Sequence, residues 1–371
     1  MSVSSLDIII PSFRPAANYL LPILNLAKPP DIRIRYFLVV DNPTATIPES
    51  IKEREGPDLN IIHHQQNQGA AVSRNDGIEA GHAPWMLFLD DDILVPENLL
   101  FTYIHAIATH PQEIGFIGLI RMPAPGTAFT EAIRASGSMD IFTVAEKKEN
   151  HAWGATANIM IRRSALGDIR FSELYPRAGG GEDIDFFLKV RAHNHYRNFK
   201  SLPEAAVLHP WWNQEKVNIQ RPFRYGIGGS WLAQLNPQYV YYDLLNTPEL
   251  LLLLIFGSVA AAVWKPQLIP GLLFILLGII IVELVANMIQ ALKRRAPLRP
   301  AVFFYVLLLR LSFQSGLLWG NLSRGRLTGM GERFNDDGKI RKLNFYRLNS
   351  YKITKWIGYP LVCWLAFRYW F

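Results

Sequence analysis

Trp85-Met-Leu-Phe-Leu-Asp90-Asp91-Asp92-Ile93-Leu94 is the stretch whose reading decides the fold. Five apolar residues without polar alternation read as a strand buried on both faces, the kind that fills a parallel sheet. Three carboxylates end it with no base among them. Like charges this close raise one another's pKa unless a cation sits among them, and oxygen ligands suit a hard ion, Mg2+ or Mn2+. The competing reading is a solvated acidic turn, or a helix N-cap ahead of Ile93-Leu-Val-Pro-Glu97.

Working outward, Leu6 to Ile10 is a short buried strand stopped by Pro11-Ser12-Phe13-Arg14, and Tyr19 to Ala27 a helix closed by Lys28-Pro-Pro30. Arg35 to Val40 is a second strand ending on Asp41-Asn42-Pro43, and Leu59 to His63 a third ending in Gln65-Gln-Asn67-Gln-Gly69. A small-residue helix, Ala70 to Ala80, then carries Arg74, Asn75 and Asp76. Strand and helix alternating at this spacing predict an α/β fold with a doubly wound, mostly parallel sheet. Ligands in such sheets bind at the carboxyl ends of the strands, and Pro11-Ser12, Asp41, Asn67 and Asp90 to Asp92 all collect there. The Gly69-Ala-Ala71 helix start either presents amides to an anion or packs tightly on the sheet.

Ile8-Ile-Ile-Pro-Ser-Phe-Arg14, Val39-Val-Asp-Asn42, Asn67-Gln-Gly69, Arg74-Asn75 and Phe88-Leu-Asp-Asp-Asp92, in this order, resemble the inverting family 2 glycosyltransferases of the GT-A fold. The resemblance covers roughly residues 5 to 235. It implies that Asp41 contacts the nucleobase, that Asp90 lies near the ribose and that Asp92 binds the metal. Pro11, Ser12, Arg14, Asn67, Gly69, Arg74 and Asp91 would complete the nucleotide-sugar site. Asn42 stands where many members carry a second Asp, which leaves the donor nucleotide open.

Gly115 to Ile120 reads as a further strand, whereas residues 121 to 150 give little pattern and are expected to form a loop on the acceptor side. The segment Ala152 to Arg163 resembles the part of the family that lies beside donor sugar and acceptor. Trp153 and Gly154 are therefore acceptor candidates, with a core tryptophan as the alternative. In Ala178-Gly-Gly-Gly181-Glu182-Asp183-Ile-Asp185 a glycine run delivers acids to the positive end of a helix. Capping by Asp183 would give the same pattern, but capping needs no three-glycine hinge. By resemblance Asp183 falls at the catalytic base and Glu182 supports it; Asp185 would cap or hold a basic neighbour. His209, after the apolar run Ala205 to Leu208, falls where many members have a further metal ligand. The other histidines, His63-His64 among them, have no informative spacing.

The remainder is hydrophobic. Half of the 371 residues are apolar, the mean hydropathy is +0.09 and the pI is near 9.4. The net charge of +7 suggests an anionic partner. The excess charge follows residue 290, beside apolar segments, where lipid is a simpler partner than nucleic acid. One cysteine, Cys363, excludes an internal disulfide and fits a reducing compartment. The N-terminus lacks the basic and apolar regions of a signal peptide. Arg221 and Arg224, in a basic and aromatic stretch, would meet lipid or an acceptor phosphate. Apolar helices near 249–264 and 268–290 read as a transmembrane hairpin turning at Lys265-Pro266-Gln267. Lys293-Arg294-Arg295 and Arg299 place its flanks, and with them the first half, in the cytoplasm. A helix near 301–320, with Arg310 at its centre, is expected to be interfacial or re-entrant.

The sequence thus predicts a catalytic domain over 1–235, a membrane region over 236–322 and a basic cytoplasmic segment with an aromatic terminal helix over 323–371. The expected activity is metal-dependent inverting transfer from a nucleotide-diphosphate sugar to a lipid-linked or saccharide acceptor at the cytoplasmic membrane face, that of a bacterial inner membrane. Two alternatives are carried. One is a processive polysaccharide synthase, which needs more crossings than these helices offer. The other is a scaffold with a degenerate transferase domain, which would have no need of both Asp92 and Asp183.

Overall fold

The computed structural model describes residues 4–340 and 348–370. They fall into two compact units. The first comprises the chain to Ala124, Asp140–Gln214 and Asp336–Lys339; the second comprises Pro125–Met139, Glu215–Asn335 and the chain from Ile340.

The first unit opens with β1 (Ser5–Ser12), α1 (Ala17–Leu24), β2 (Arg33–Val40), α2 (Glu49–Lys52), β3 (Leu59–His63), α3 (Ala70–Ala80), β4 (Trp85–Leu89), α4 (Leu99–Thr109) and β5 (Gly115–Arg121). Helix α5 (Ala128–Ser136) lies in the excursion that belongs to the second unit. The first unit resumes with α6 (Val144–Lys147), β6 (Asn150–His151), β7 (Asn158–Arg162), α7 (Arg163–Leu166), α8 (Glu182–His193) and β8 (Phe199–Leu208).

All eight strands form one sheet in the order β3-β2-β1-β4-β7-β5-β8-β6. Strands β1 to β4 are mutually parallel. Strand β7 runs antiparallel between β4 and β5, and β8 lies parallel to β5. Every residue of β4 is buried, as expected for a strand covered on both faces. The order reverses at β1, which has β2 on one side and β4 on the other, so the carboxyl ends of β1 and β4 flank the switch point where such sheets bind ligands. Strand β1 continues through Pro11 to Ser12 rather than stopping at Ile10. Its pairing with β4 ends at Ile9, so the missing proline N–H is not needed on that side.

Two buried polar side chains organise this sheet. Asp7, fully buried in β1, accepts from Arg35, from Arg163 and from the Ala83 amide. Asn158, fully buried at the start of β7, donates to the carbonyls of Leu119 and Ala205 and accepts from the Tyr103 hydroxyl at 2.8 Å. It thereby bridges the point where the β5–β8 register shifts.

The second unit holds α5, α9 (Gln220–Leu235), β9 (Val240–Tyr242), α10 (Thr247–Trp264), α11 (Ile269–Lys293), α12 (Pro300–Leu322), β10 (Glu332–Phe334) and α13 (Ser350–Trp370). The sequence reading closes the first half at 235, but helix α9 groups with the second unit because it packs on α12 with almost no side chain between. A Cβ at Gly226 would lie 2.0 Å from the Phe313 carbonyl oxygen, and one at Gly316 would lie 2.0 Å from that of Phe223. The segment 121–150, expected as a loop, contains α5, whose Phe129, Ala132 and Ala135 pack with Ala291, Val302 and Val306.

Three helices, Thr247–Trp264, Pro266–Lys293 and Pro300–Leu322, are long and apolar enough to cross a membrane. Arg310, the charge inside α12, donates to Gln290 at 2.6 Å and lies 4.7 Å from the Tyr351 ring. In the basic run, Arg326 and Arg333 pair with Glu332 and Glu249, while Arg341, Lys342 and Arg347 lie outside the described residues.

Candidate active site

The acid stretch after β4 is fixed at two places. The Ser12 hydroxyl, at the end of β1, donates to Asp91. Two residues beyond Asp92, Leu94 exchanges backbone hydrogen bonds of 2.8 and 2.9 Å with Leu208, the last residue of β8. That pairing brings the residue after β8, His209, onto the acids: its Nε2 lies 3.3 Å from Asp92 Oδ1 and 4.0 Å from Asp90 Oδ2. The imidazole is 2% exposed, against Phe142 and Trp212.

Its Nδ1 lies 2.7 Å from the Pro210 carbonyl oxygen, which can only accept, so Nδ1 carries a proton. In the neutral ring that leaves Nε2 with a lone pair aimed at two carboxylates. Among the described residues, the ligand atoms of Asp90, Asp92 and His209 all lie within 4.8 Å of one another. Two oxygens and an imidazole nitrogen, the latter oriented by a carbonyl, fit a divalent ion such as Mn2+ or Mg2+. Burial pushes the Asp91 carboxyl up to about 7, with Asp92 and Asp90 adding to the rise and the Ser12 hydroxyl opposing it.

Asp41, at the end of β2, is 5% exposed, and its oxygens are engaged within the fold. Oδ1 accepts from the Gln68 amide at 2.7 Å and meets His64 Nδ1 at 2.8 Å, while Oδ2 accepts from the Gly69 amide at 2.7 Å. The other ring nitrogen of His64 meets Asp76 at 2.7 Å. Asp41 thus holds the loop between β3 and α3, and the Ala70 amide is taken by the Arg177 carbonyl. These amides serve the fold rather than an anion. Gly69 has φ of +98°, and a Cβ there would come within 2.9 Å of Arg177.

The second acid cluster opens α8. Gly179, Gly180 and Gly181 all have positive φ, at 84°, 141° and 103°. The glycine run is thus a backbone shape that side chains rarely adopt, not a hinge. Of the acids it delivers, Glu182 is buried, accepting from Arg74 at 3.1 Å and from the Gly180 amide at 2.7 Å. Asp185, fully buried, pairs with Lys189 at 2.6 Å. Asp183 accepts from the Ile184 amide. Burial pushes its carboxyl up to about 7, the Glu182 carboxylate adding to the rise and Arg74 opposing it.

Arg74 joins the two clusters. Projecting from α3, it is 6% exposed, with its guanidinium 5.5 Å from the Phe171 ring centre. One arm reaches Glu182, and the other lies 3.8 Å from Asp90 Oδ1. A fixed cation thus sits between the acids that follow β4 and those that open α8. Residues 7–170 match the family model "Glycosyl transferase family 2".

Residues 7–170 belong to glycosyl transferase family 2. This glycosyltransferase stretch is similar to proteins of Bacillus subtilis (strain 168). The minor teichoic acid biosynthesis protein GgaB is 27% identical over 178 residues, 44% of this chain and 19% of that protein. TuaG, named as a teichuronic acid biosynthesis glycosyltransferase, is 26% identical over 129 residues, 35% of this chain and 48% of that protein. The matches therefore span less than half the length of either relative. Among solved structures, the crystal structure of GalNAc-T7 with UDP, GalNAc and Mn2+ aligns at a TM-score of 0.43 and 13% identity, over 64% of this chain and 51% of that one.

The remaining candidates of the glycosyltransferase unit are less concentrated. Pro11 is half-buried beside Ser12, while Arg14 and Asn67 are exposed on the loops after β1 and β3. Trp153 is 6% exposed with its indole N–H on the Asp336 carbonyl oxygen at 2.9 Å, a core position that does not offer a ring face to a sugar. Gly154 is likewise buried; a Cβ there would meet Ile117 at 2.8 Å. Arg221 and Arg224 lie on α9, in the second unit. The residues that sequence reasoning missed are His64 and Asn158. Neither has a spacing to mark it: His64 sits in the polar run His63 to Gln68, and Asn158 is a lone amide before an apolar strand.

Proposed function

We propose that the chain is an inverting glycosyltransferase. It would move a sugar from a nucleotide-diphosphate donor to a lipid-linked or saccharide acceptor at the cytoplasmic face of a bacterial inner membrane. The observation that carries this reading is the Arg74 bridge between the Asp90 cluster and the Glu182-Asp183 pair. It supports one continuous site with a donor end and an acceptor end.

Asp90, Asp92 and His209 would hold Mg2+ or Mn2+. A divalent ion there would supply Lewis-acid stabilisation of the departing diphosphate. Asp183 takes the proton of the acceptor hydroxyl as that oxygen attacks the sugar C1; the bond from C1 to the phosphate oxygen breaks, and the nucleoside diphosphate leaves with the electron pair. A carboxyl held near neutral pH suits this task, since it is ionised enough to accept a proton and basic enough to keep it. Glu182, tied to Arg74 and Gly180, orients the turn rather than receiving the proton. Ser12, Asp91 and the Asp41-held loop would shape the nucleotide pocket, with Pro11, Arg14, Asn67 and Gly69 at its rim. Arg221 and Arg224 would meet the acceptor's phosphate or lipid. The two relatives, named for teichoic and teichuronic acid biosynthesis, support a cell-envelope glycan as the product class.

The test is titration of the detergent-solubilised chain with UDP, GDP and dTDP, each with and without Mn2+. One nucleotide should bind in a metal-dependent manner and lose that dependence in Asp92→Ala. Asp183→Asn should bind it within about twofold of the parent while turnover falls by ~100-fold or more. Substantial turnover in Asp183→Asn would remove Asp183 as the base, and no binding of any of the three nucleotides would favour a scaffold.

A further inference from the structure

Helix α13 is not among the three helices that length and composition alone mark as spans. It carries Lys352, Lys355 and Arg368 and has Pro360 inside. Its contacts argue otherwise. Along one face it follows α11 in antiparallel register: a Cβ at Gly358 would lie 2.6 Å from Val282, one at Gly278 would clash with Val362, and the Trp370 ring lies tilted against Phe274 with centres 4.5 Å apart.

The polar residues of its first turns face inward. Tyr351 donates to Glu283 at 2.7 Å, and Lys355, 4% exposed, reaches the same carboxylate at 3.0 Å. Thr247 of α10 donates to Glu283 at 2.6 Å, and Asn287 of α11 donates to it at 2.8 Å. Glu283, 1% exposed, lies inside a segment long and apolar enough to cross a membrane. A carboxylate there is costly unless neutralised. Its counter-charge comes from α13, so α13 shares its depth.

The outward face of α13 points the same way. Ile357, Leu361, Trp364 and Phe367 are between 52% and 71% exposed, and no charge falls between Lys355 and Arg368. An interfacial helix turns its polar side to water and its apolar side to lipid. Here the first polar side is spent on α11, and what is left exposed is apolar. Helices α10 and α11 likewise expose apolar side chains, with Phe256, Val259, Leu273 and Leu277 55% to 64% exposed.

We propose that α13 is a fourth membrane-embedded helix, clamped to α11 by the Lys355–Glu283 pair, with bilayer hydrocarbon covering its outward face. This rests on the reading of α10 and α11 as membrane spans. At 21 residues α13 is about 31 Å long, which matches the hydrocarbon thickness.

The chain's one cysteine, Cys363, exposed midway along α13, is the reporter. The full chain in native membranes is treated with a charged, membrane-impermeant maleimide, before and after SDS. Labelling of Cys363 should be at least ~10-fold slower in membranes, because the reactive thiolate does not form in hydrocarbon. Two companions in a Cys363→Ala background calibrate it: Ala108→Cys, exposed on α4, and Leu277→Cys on α11. Fast labelling of Cys363, at the rate of Ala108→Cys while Leu277→Cys stays protected, would overturn the proposal and leave the hairpin standing. Fast labelling of Leu277→Cys would overturn the membrane reading itself. A Cys363–Cys363 dimer under copper-phenanthroline oxidation would put a second copy, not lipid, on this face, and would also overturn it.

Discussion

Replacing Arg74 by Gln tests whether the two acid clusters work as one site. The guanidinium and the Glu182 carboxylate it binds are each about 8% exposed, and the pair is 3.1 Å apart. Removing one partner of so buried a pair costs about 3–5 kcal/mol, so thermal unfolding should begin clearly lower than in the parent. The more telling effect is on Asp183. Burial and Glu182 hold its carboxyl near 7, and Arg74 is the group that opposes them. A nearby opposite charge is worth roughly 1–3 pKa units, so its loss should raise the carboxyl by about one unit or more. A base works when ionised, and activity therefore appears as pH rises through its pKa. The acid limb of the kcat/KM profile should move up from about 7 by at least ~1 unit, with a rate loss of at least about fivefold at pH 7 that recovers at pH 9. The assay is initial-rate sugar transfer from pH 5.5 to 9.5, with circular dichroism confirming a folded protein. Arg74→Lys, which keeps the charge, should hold the limb within about half a unit of the parent. An unmoved acid limb in folded Arg74→Gln would refute the coupling.

Two further outcomes follow. In His209→Ala the affinity for Mn2+, measured by calorimetry without nucleotide, should fall at least ~10-fold, and an unchanged affinity would remove His209 from the ligand set. Lys355→Met should destabilise the second unit by about 3 kcal/mol, with Glu283→Gln in the same chain restoring most of the loss. Additive losses in the double variant would show that the two residues do not act as a pair.

Much of the first unit was legible because its strands are apolar runs ending in polar residues. Strand β3 and helix α3 fall where the sequence puts them, at Leu59–His63 and Ala70–Ala80. The antiparallel β7 was not legible, since Ile159, Met160 and Ile161 are as uniformly buried as a parallel strand and carry no mark of direction. Helix α5 is amphipathic but only nine residues long, and the residues its Phe129, Ala132 and Ala135 pack against, Ala291, Val302 and Val306, lie far away in the sequence. In the second unit the sequence shows the apolar helices and Arg310, but the partner of Arg310 and the counter-charge of Glu283 come from other helices. No window of sequence holds both sides of such a pair.

The acids make the same point for chemistry. Asp41, Asp91, Glu182 and Asp185 sit at strand ends or a helix start no less conspicuously than Asp90, Asp92 and Asp183. What separates them is who holds their oxygens. Amides and His64 take Asp41, Ser12 takes Asp91, Arg74 and Gly180 take Glu182, and Lys189 takes Asp185. Each of these is a partner that fixes a loop or a helix in place. Asp90 and Asp92 instead face the Nε2 of His209, whose Nδ1 proton is committed to Pro210, and Asp183 stays next to Glu182 with its affinity for protons raised. A cation entering the first set and a proton entering the second would be the pairing that the proposed glycosyl transfer requires.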